Sequence, residues 1–343
     1  MGGGVGTRPA RVTILSTLRQ LYSDWMPGGR TGVTTPFLHF IHQAFALWPV
    51  KLGLPLMRLA FQLSLLLCCA FWGTGTLMAQ MPFYTDNADV TEEGTLHFEF
   101  FNEFDGLQSA QYPDLRQNTF NYKANYGLPY RLELDVDAPY LSIYRAPGVQ
   151  TSDGPGDTDM GIKWNFHKSE KPLRAPDLSA SLYIEFPTGD ANQELGSGLT
   201  DYWLNSIAQE ATSDKTRFNA NFGFLFAGNT STGVIGTRNT RGHVYTGGLS
   251  LTHDMNSRVT LGAEVYGAIA DNHALGKDQL QGLAGGWYQL NNRTAITFGL
   301  LGGSHVASPK VGGQVGFEID FPLRHAPATK QLASLSSQHG RTP

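Results

Sequence analysis

The chain has 343 residues, a formal net charge of −4 and 16% charged residues, well under the roughly 25% usual in soluble domains. Its 40 glycines, 11% aromatics and 41% apolar residues suit a large all-β protein with close backbone packing. Mild acidity, with no basic run outside the N-terminal region, argues against nucleic acid as a partner.

Residues 57–79 read as a secretory signal. Arg58 supplies the positive start, Leu59 to Trp72 the apolar core, and Leu77-Met78-Ala79 a cleavage site before Gln80. A signal anchor is the rival reading, because Leu59 to Ala79 is long enough to span a bilayer. The Gly73-Thr74-Gly75-Thr76 break after the core favours cleavage. Met57 is then the expected start, and residues 1–56 are a non-native upstream extension or disordered. Cys68 and Cys69 fall inside the signal, so the exported chain is expected to carry neither a disulfide nor a thiolate metal site.

Residues 80–93 are expected to form an irregular periplasmic lead-in. Alternation begins after it: Leu96, Phe98 and Phe100 against His97, Glu99, Phe101 and Glu103. Phe120, Tyr122, Ala124 and Tyr126 mark a second strand, and Leu132, Leu134, Val136 and Ala138 a third, set against Arg131, Glu133, Asp135 and Asp137. After a Gly/Pro/Asp-rich connection over 142–156 come Met160, Ile162, Trp164 and Phe166, then Leu178, Ala180, Leu182, Ile184 and Phe186. Period-two alternation places each set on its own face of a strand. The sixth strand lies within 200–209, with its facing open because Trp203 and Ile207 oppose Tyr202 and Leu204. Phe218, Ala220, Phe222, Phe224 and Phe226 define the seventh; further strands are expected within 243–253, 258–269, 282–290, 294–302 and 311–321.

The total is about twelve strands of roughly ten residues, the length a tilted strand needs to cross hydrocarbon. Connections after the second, eighth and tenth strands are short, whereas those after the first, third, fifth, seventh and ninth are longer and richer in turn residues. Short turns at one end and long loops at the other indicate an all-β, transmembrane, antiparallel up-and-down β-barrel over 94–321. Closure leaves no edge with unpaired backbone groups in lipid. The loops at 105–117, 142–156, 187–199, 229–242 and 270–281 are expected outside. The last strand ends in Phe321, an aromatic end that the barrel-insertion machinery would read, and residues 322–343 are expected to be a disordered periplasmic tail.

Gly156-Asp157, Met160-Gly161-Ile162-Lys163-Trp164, Phe186-Pro187-Thr188-Gly189-Asp190 and Gly196-Ser197-Gly198 together resemble the phenol-degradation meta-pathway family of transporter-like outer-membrane proteins. The resemblance extends from about Asp86 to Phe321. It implies an outer-membrane barrel that passes small solutes, often aromatic, and assigns no catalytic residue.

If the apolar faces meet outer-membrane lipid, the lumen is lined by Glu99, Glu103, Glu133, Asp135, Asp137, Asp159, Glu185, Glu264, Glu318 and Asp320, with Lys123, Lys163, Arg131 and Arg217 as counter-charges. The row Glu133, Asp135, Asp137 runs along one strand and predicts a preference for cations and neutral solutes. At the rim, Asp157, Asp159 and Asp190 read as turn-stabilising acids rather than a calcium loop, because the spacing lacks a later bidentate Glu. No Gly-x-Ser-x-Gly motif and no paired histidines at ligand spacing occur, so neither a catalytic set, a metal site nor a cofactor is expected. A channel for small solutes is the reading that results; a lipid-active enzyme and a structural or adhesive barrel are the alternatives.

Overall fold

The computed structural model describes residues 81–169, 175–227, 242–271 and 278–323. The expected signal, the upstream extension, nearly all of the expected tail and parts of the loops at 229–242 and 270–281 lie outside the described residues.

Thirteen strands follow one another: β1 Thr95–Gly106, β2 Asp114–Leu128, β3 Leu132–Arg145, β4 Ser152–Pro155, β5 Thr158–His167, β6 Asp177–Phe186, β7 Asp201–Ser213, β8 Thr216–Ala227, β9 Gly242–Asp254, β10 Val259–Ala270, β11 Gln279–Asn291, β12 Thr294–Gly303 and β13 Val311–Pro322. All but β4 form a closed antiparallel barrel of twelve strands in sequence order, with β13 closing on β1 through pairs such as Phe98–Ile319. Among the described residues no helix is long and apolar enough to cross a membrane. The twelve wall strands coincide with those the alternation predicts.

Two stretches expected as loop are sheet. Within 142–156 the chain continues β3 to Arg145, then returns as β4, which pairs with the outer part of β3 through Ser142–Asp153. Within 105–117, β2 starts at Asp114, and its polar residues Arg116 to Thr119 pair with both β1 and β3. Their side chains carry no apolar alternation because the buried Gln117 and Thr119 are as polar as Arg116 and Asn118. Arg131, expected in the lumen, instead sits exposed in the tight turn Pro129–Arg131 between β2 and β3.

The apolar face points outward. Trp164 is 51% exposed and Phe222 61%, as a lipid-facing surface requires in a closed barrel. Phe98, Phe100, Tyr122 and Phe321 make a run of ring contacts 5.8–5.9 Å apart across the β13–β1–β2 seam. The open facing of β7 resolves against the size of its side chains: Asp201, Trp203, Asn205, Ile207 and Gln209 turn inward, and Tyr202 and Leu204 outward. Trp203 turns in because an apolar cluster waits there, formed by Leu225, Val244, Ala268 and Ala270.

The lead-in corrects the sequence reading most sharply. Residues 81–91 do not hang below the barrel; they run inside it, against side chains of the wall. The segment has no period-two pattern because it is not a wall strand. Its irregular backbone still needs hydrogen-bond partners, and inward-facing side chains supply them.

Candidate functional site: a plugged, charged lumen

The internal segment is fastened to most of the wall. Glu318 of β13 accepts the N–H of Met81 at 3.2 Å, and Gln314 donates to the carbonyl of Pro82 at 2.9 Å. Glu264 of β10 takes two consecutive amides, Tyr84 at 3.0 Å and Thr85 at 2.8 Å. The Tyr84 hydroxyl donates to Glu103, and the Thr91 amide to Glu133. Gln209 of β7 accepts from the amide of Ala88 at 3.1 Å, while Asn165 and Ser179 both donate to its carbonyl. Lys163 pairs with Asp86 at 2.8 Å. With its amide oriented to suit, Asn221 brackets the same residue, donating to Asp86 O at 2.9 Å and accepting from Asp86 N at 2.7 Å.

Glycines make room for this path. A Cβ at Gly262 would stand 2.7 Å from the ring of Phe83, and one at Gly285 2.9 Å from Pro82. Such a separation is too close for any side chain, so the wall is bare where the segment crosses it. Phe83 and Tyr84 pack against Leu283, Leu301 and Trp287.

The remaining lumen charges form a pattern across strands. In register, Glu318 of β13 lies opposite Glu99 of β1, Glu99 opposite Lys123 of β2, and Lys123 opposite Asp137 of β3. Asp137 then faces Asp159 of β5, Asp159 faces Glu185 of β6, and Glu185 faces Asp201 of β7. Seven adjacent strands thus place one charged residue each in a single hydrogen-bonded row. Strands in a barrel are tilted, so a row perpendicular to them climbs. This one starts near the short-turn end of β13 and finishes at the first residue of β7, beside the long loop over 187–200.

At its lower end the row is braced. His97 binds Asp320 at 2.7 Å and Glu99 at 3.2 Å, and Lys123 lies 3.6 Å from Glu99. At its upper end four acids stand side by side, and buried oxygens of Asp137 and Glu185 have no hydrogen-bond partner. Like charges directly opposite on adjacent strands destabilise a sheet, so bracing does not account for them. Among the described residues no three carboxylates or histidines are placed to chelate a metal ion.

The sequence-predicted lumen residues divide accordingly. Glu133, Lys163, Glu264 and Glu318 hold the internal segment; Glu99 and Lys123 belong to the braced row; Asp137 and Glu185 belong to the upper acids; Asp135 accepts from Tyr183 at 2.8 Å. Of the rim acids, Asp157 accepts the amides of Gly189 at 2.9 Å and Ser197 at 2.7 Å, which staples the 187–200 loop to the start of β5. That loop also buries Leu195 against Leu141 and Ile143. Asp190 caps the short turn Ala191–Gln193, and hydrogen bonds from Gln193 and Asn192 hold its pKa below the ordinary value. Asp159, the second residue of β5, belongs to the row where it nears the long loops. Sequence reasoning missed Asp201, hidden by the undecided facing of β7, and Asp86, hidden in a segment read as lying outside the barrel.

The fold has relatives of known structure. An outer membrane channel from Pseudomonas putida F1 superposes with a TM-score of 0.55 at 13% identity, covering 70% of this chain and 99% of that one. The NanC porin gives 0.44 at 9% identity, over 65% and 98% of the two chains, and the KdgM porin 0.44 at 8%, over 66% and 99%. No curated protein matches in sequence. Residues 83–321, which span the internal segment and the whole wall to Phe321, match the family described as "Putative MetA-pathway of phenol degradation", and the chain belongs to that family.

Proposed function

We propose that this chain is an outer-membrane channel for passive passage of small solutes, favouring neutral and cationic ones, with residues 81–91 as its gate. The observation that carries the proposal is the climbing row from Glu318 to Asp201. Six acids aligned with a single lysine, Lys123, along a narrow, low-dielectric lumen raise the local concentration of cations and repel anions. Its upper part costs stability, so conduction is its best explanation. Passage of neutral aromatic compounds is in keeping with the phenol named in the family description.

In this reading the chain is exported by a cleaved signal at 57–79, the long loops face outside, and both ends of the barrel chain lie in the periplasm. A lumen of twelve strands lies between filled eight-stranded barrels and open porins, and the internal segment occupies what bore there is. Recording from planar bilayers tests the proposal. The wild-type barrel should conduct weakly, and a barrel lacking residues 81–91 strongly with cation preference. Silence from both would favour a structural barrel, and anion preference in the unplugged form would reject the charge reading.

A further inference from the structure

Beneath the internal segment, at the short-turn end, lies a cavity of about 450 Å³ that the gating proposal leaves without a role. Its size is within the range of small-molecule sites, roughly 300–1,000 Å³. One wall is the underside of the internal segment, where Phe83, Thr85, Asn87 and Asp89 point the same way. The opposite wall comes from the ends of β7 to β11 and the turns joining them.

The chemistry of this lining differs from that of the lumen above. Two rings, Phe83 and Trp287, supply an apolar face. Three cations, Lys215, Arg217 and Arg258, stand against two carboxylates, Asp89 and Asp254. Both carboxylates are already engaged: Asp89 with Lys168 at 2.6 Å and Gln209 at 3.0 Å, Asp254 with Arg217 at 3.2 Å and Thr260 at 2.7 Å. Lys215 and Arg258 form no ion pair with a carboxylate among the described residues, so the cavity holds unmatched positive charge beside aromatic rings.

We infer that this cavity binds an aromatic carboxylate of one or two rings, its ring system against Phe83 and Trp287 and its carboxylate toward Lys215, Arg217 and Arg258. The geometry carries a consequence for the gate. A ligand there touches the internal segment and the wall at once, so it binds the seated state and stabilises it by mass action. An aromatic acid on the short-turn side would hold the channel shut, while the acids of the row exclude it from passage.

The test is a binding measurement on the full chain in detergent micelles, which needs no conduction and so stands or falls apart from the channel proposal. The probe is 2-naphthoate, with uncharged 2-naphthol as its control. Isothermal titration should show 2-naphthoate binding more tightly than 2-naphthol. The double substitution Lys215→Gln, Arg258→Gln should weaken 2-naphthoate by about tenfold or more, the loss of one charge-assisted contact or better, and leave 2-naphthol unchanged. Both residues are exposed at the turns, so folding is not at risk. Trp287→Leu should weaken both probes. Hydrogen exchange at the amides of residues 83–89 should slow when 2-naphthoate is added. Absence of 2-naphthoate binding, equal affinity for the two probes, or an unchanged affinity in the double variant would overturn the assignment.

Discussion

Lys163 and Asp86 meet inside the barrel, Nζ to Oδ1 at 2.8 Å, and the lysine is only 1% exposed. One belongs to the wall and the other to the internal segment, so this ion pair, with the more exposed Lys168–Asp89 pair, holds the segment by charge. Breaking a buried pair by removing one partner costs about 3–5 kcal/mol, because the other charge is left without compensation. Unseating the segment lets Asp86 reach water, whereas unfolding the barrel does not become easier. Lys163→Met is therefore expected to raise conductance, and adding Asp86→Asn to restore part of the closure. Single-channel recording of both variants decides it, and a Lys163→Met barrel as quiet as wild type would mean the pair is not a latch.

A covalent latch asks the same question from the opposite side. A Cβ built on Gly248 of β9 stands 3.3 Å from Cβ of Thr85, close to the roughly 3.5–4.5 Å of a disulfide. The only cysteines, Cys68 and Cys69, fall in the expected signal. Thr85→Cys with Gly248→Cys should give a barrel that conducts after reduction and closes after oxidation. If oxidation leaves the current unchanged, movement of this segment does not gate the channel.

The charged row makes a prediction about selectivity separable from gating. Asp159→Asn, Glu185→Gln and Asp201→Asn together remove three of the upper acids without touching any residue that holds the internal segment. Reversal potentials under a salt gradient, measured with residues 81–91 deleted, should move toward non-selectivity. Glu133→Gln, whose parent carboxylate holds the Thr91 amide, should instead change how often the channel opens, with a much smaller effect on ion preference.

On the outer face, Phe222 lies near the middle of β8 at 61% exposure, whereas Phe224 sits higher and packs on Tyr245 and His243 at 5.6 and 5.2 Å. Phe222→Arg should cost roughly 2–4 kcal/mol in refolding into lipid if it lies at the midplane. Asn221→Arg faces inward and should cost the barrel far less, but it displaces the amide that brackets Asp86 and should increase conductance. A refolding titration and a bilayer recording on each variant check the two effects separately.

Asp190 gives a test in pH. Its pKa is held down by hydrogen bonds from the Gln193 side chain and the Asn192 amide. A carboxylate with a depressed folded pKa contributes its stability above the ordinary aspartate value of about 3.9 and loses it as pH falls through the lower folded one. Protection of the Asn192 amide, corrected for intrinsic exchange, should hold from neutral pH down to about 4 and decline only below. In Asp190→Ala it should be low throughout; a decline near pH 6 in wild type would place its cause elsewhere.

The wall was legible because its signal is local. Each of Met160, Ile162, Trp164 and Phe166 is assigned a face by its two neighbours, whatever the rest of the chain does. Closure, too, follows from that alternation together with the rule that a sheet in lipid has no free edge. Where locality fails, so does the reading: Trp203 carries the bulk of a lipid-facing residue, and only its inward cluster shows why it turns in. The polar start of β2 has no apolar alternation to read because its buried residues, Gln117 and Thr119, are as polar as the outward Arg116 and Asn118.

Sequence by itself thus determined the strands, their count and which side chains point inward at Glu99, Glu133 or Glu264. What those side chains do was decided in three dimensions. The offset between strands is a property of pairs of distant residues, and it joins Asp137, Asp159 and Glu185, each placed inward by its own strand, with Asp201 into one continuous row. The internal segment is likewise invisible to periodicity, because its hydrogen bonds run to wall residues up to 237 positions away. Alternation records which way a residue faces, and register alone determines what it meets there.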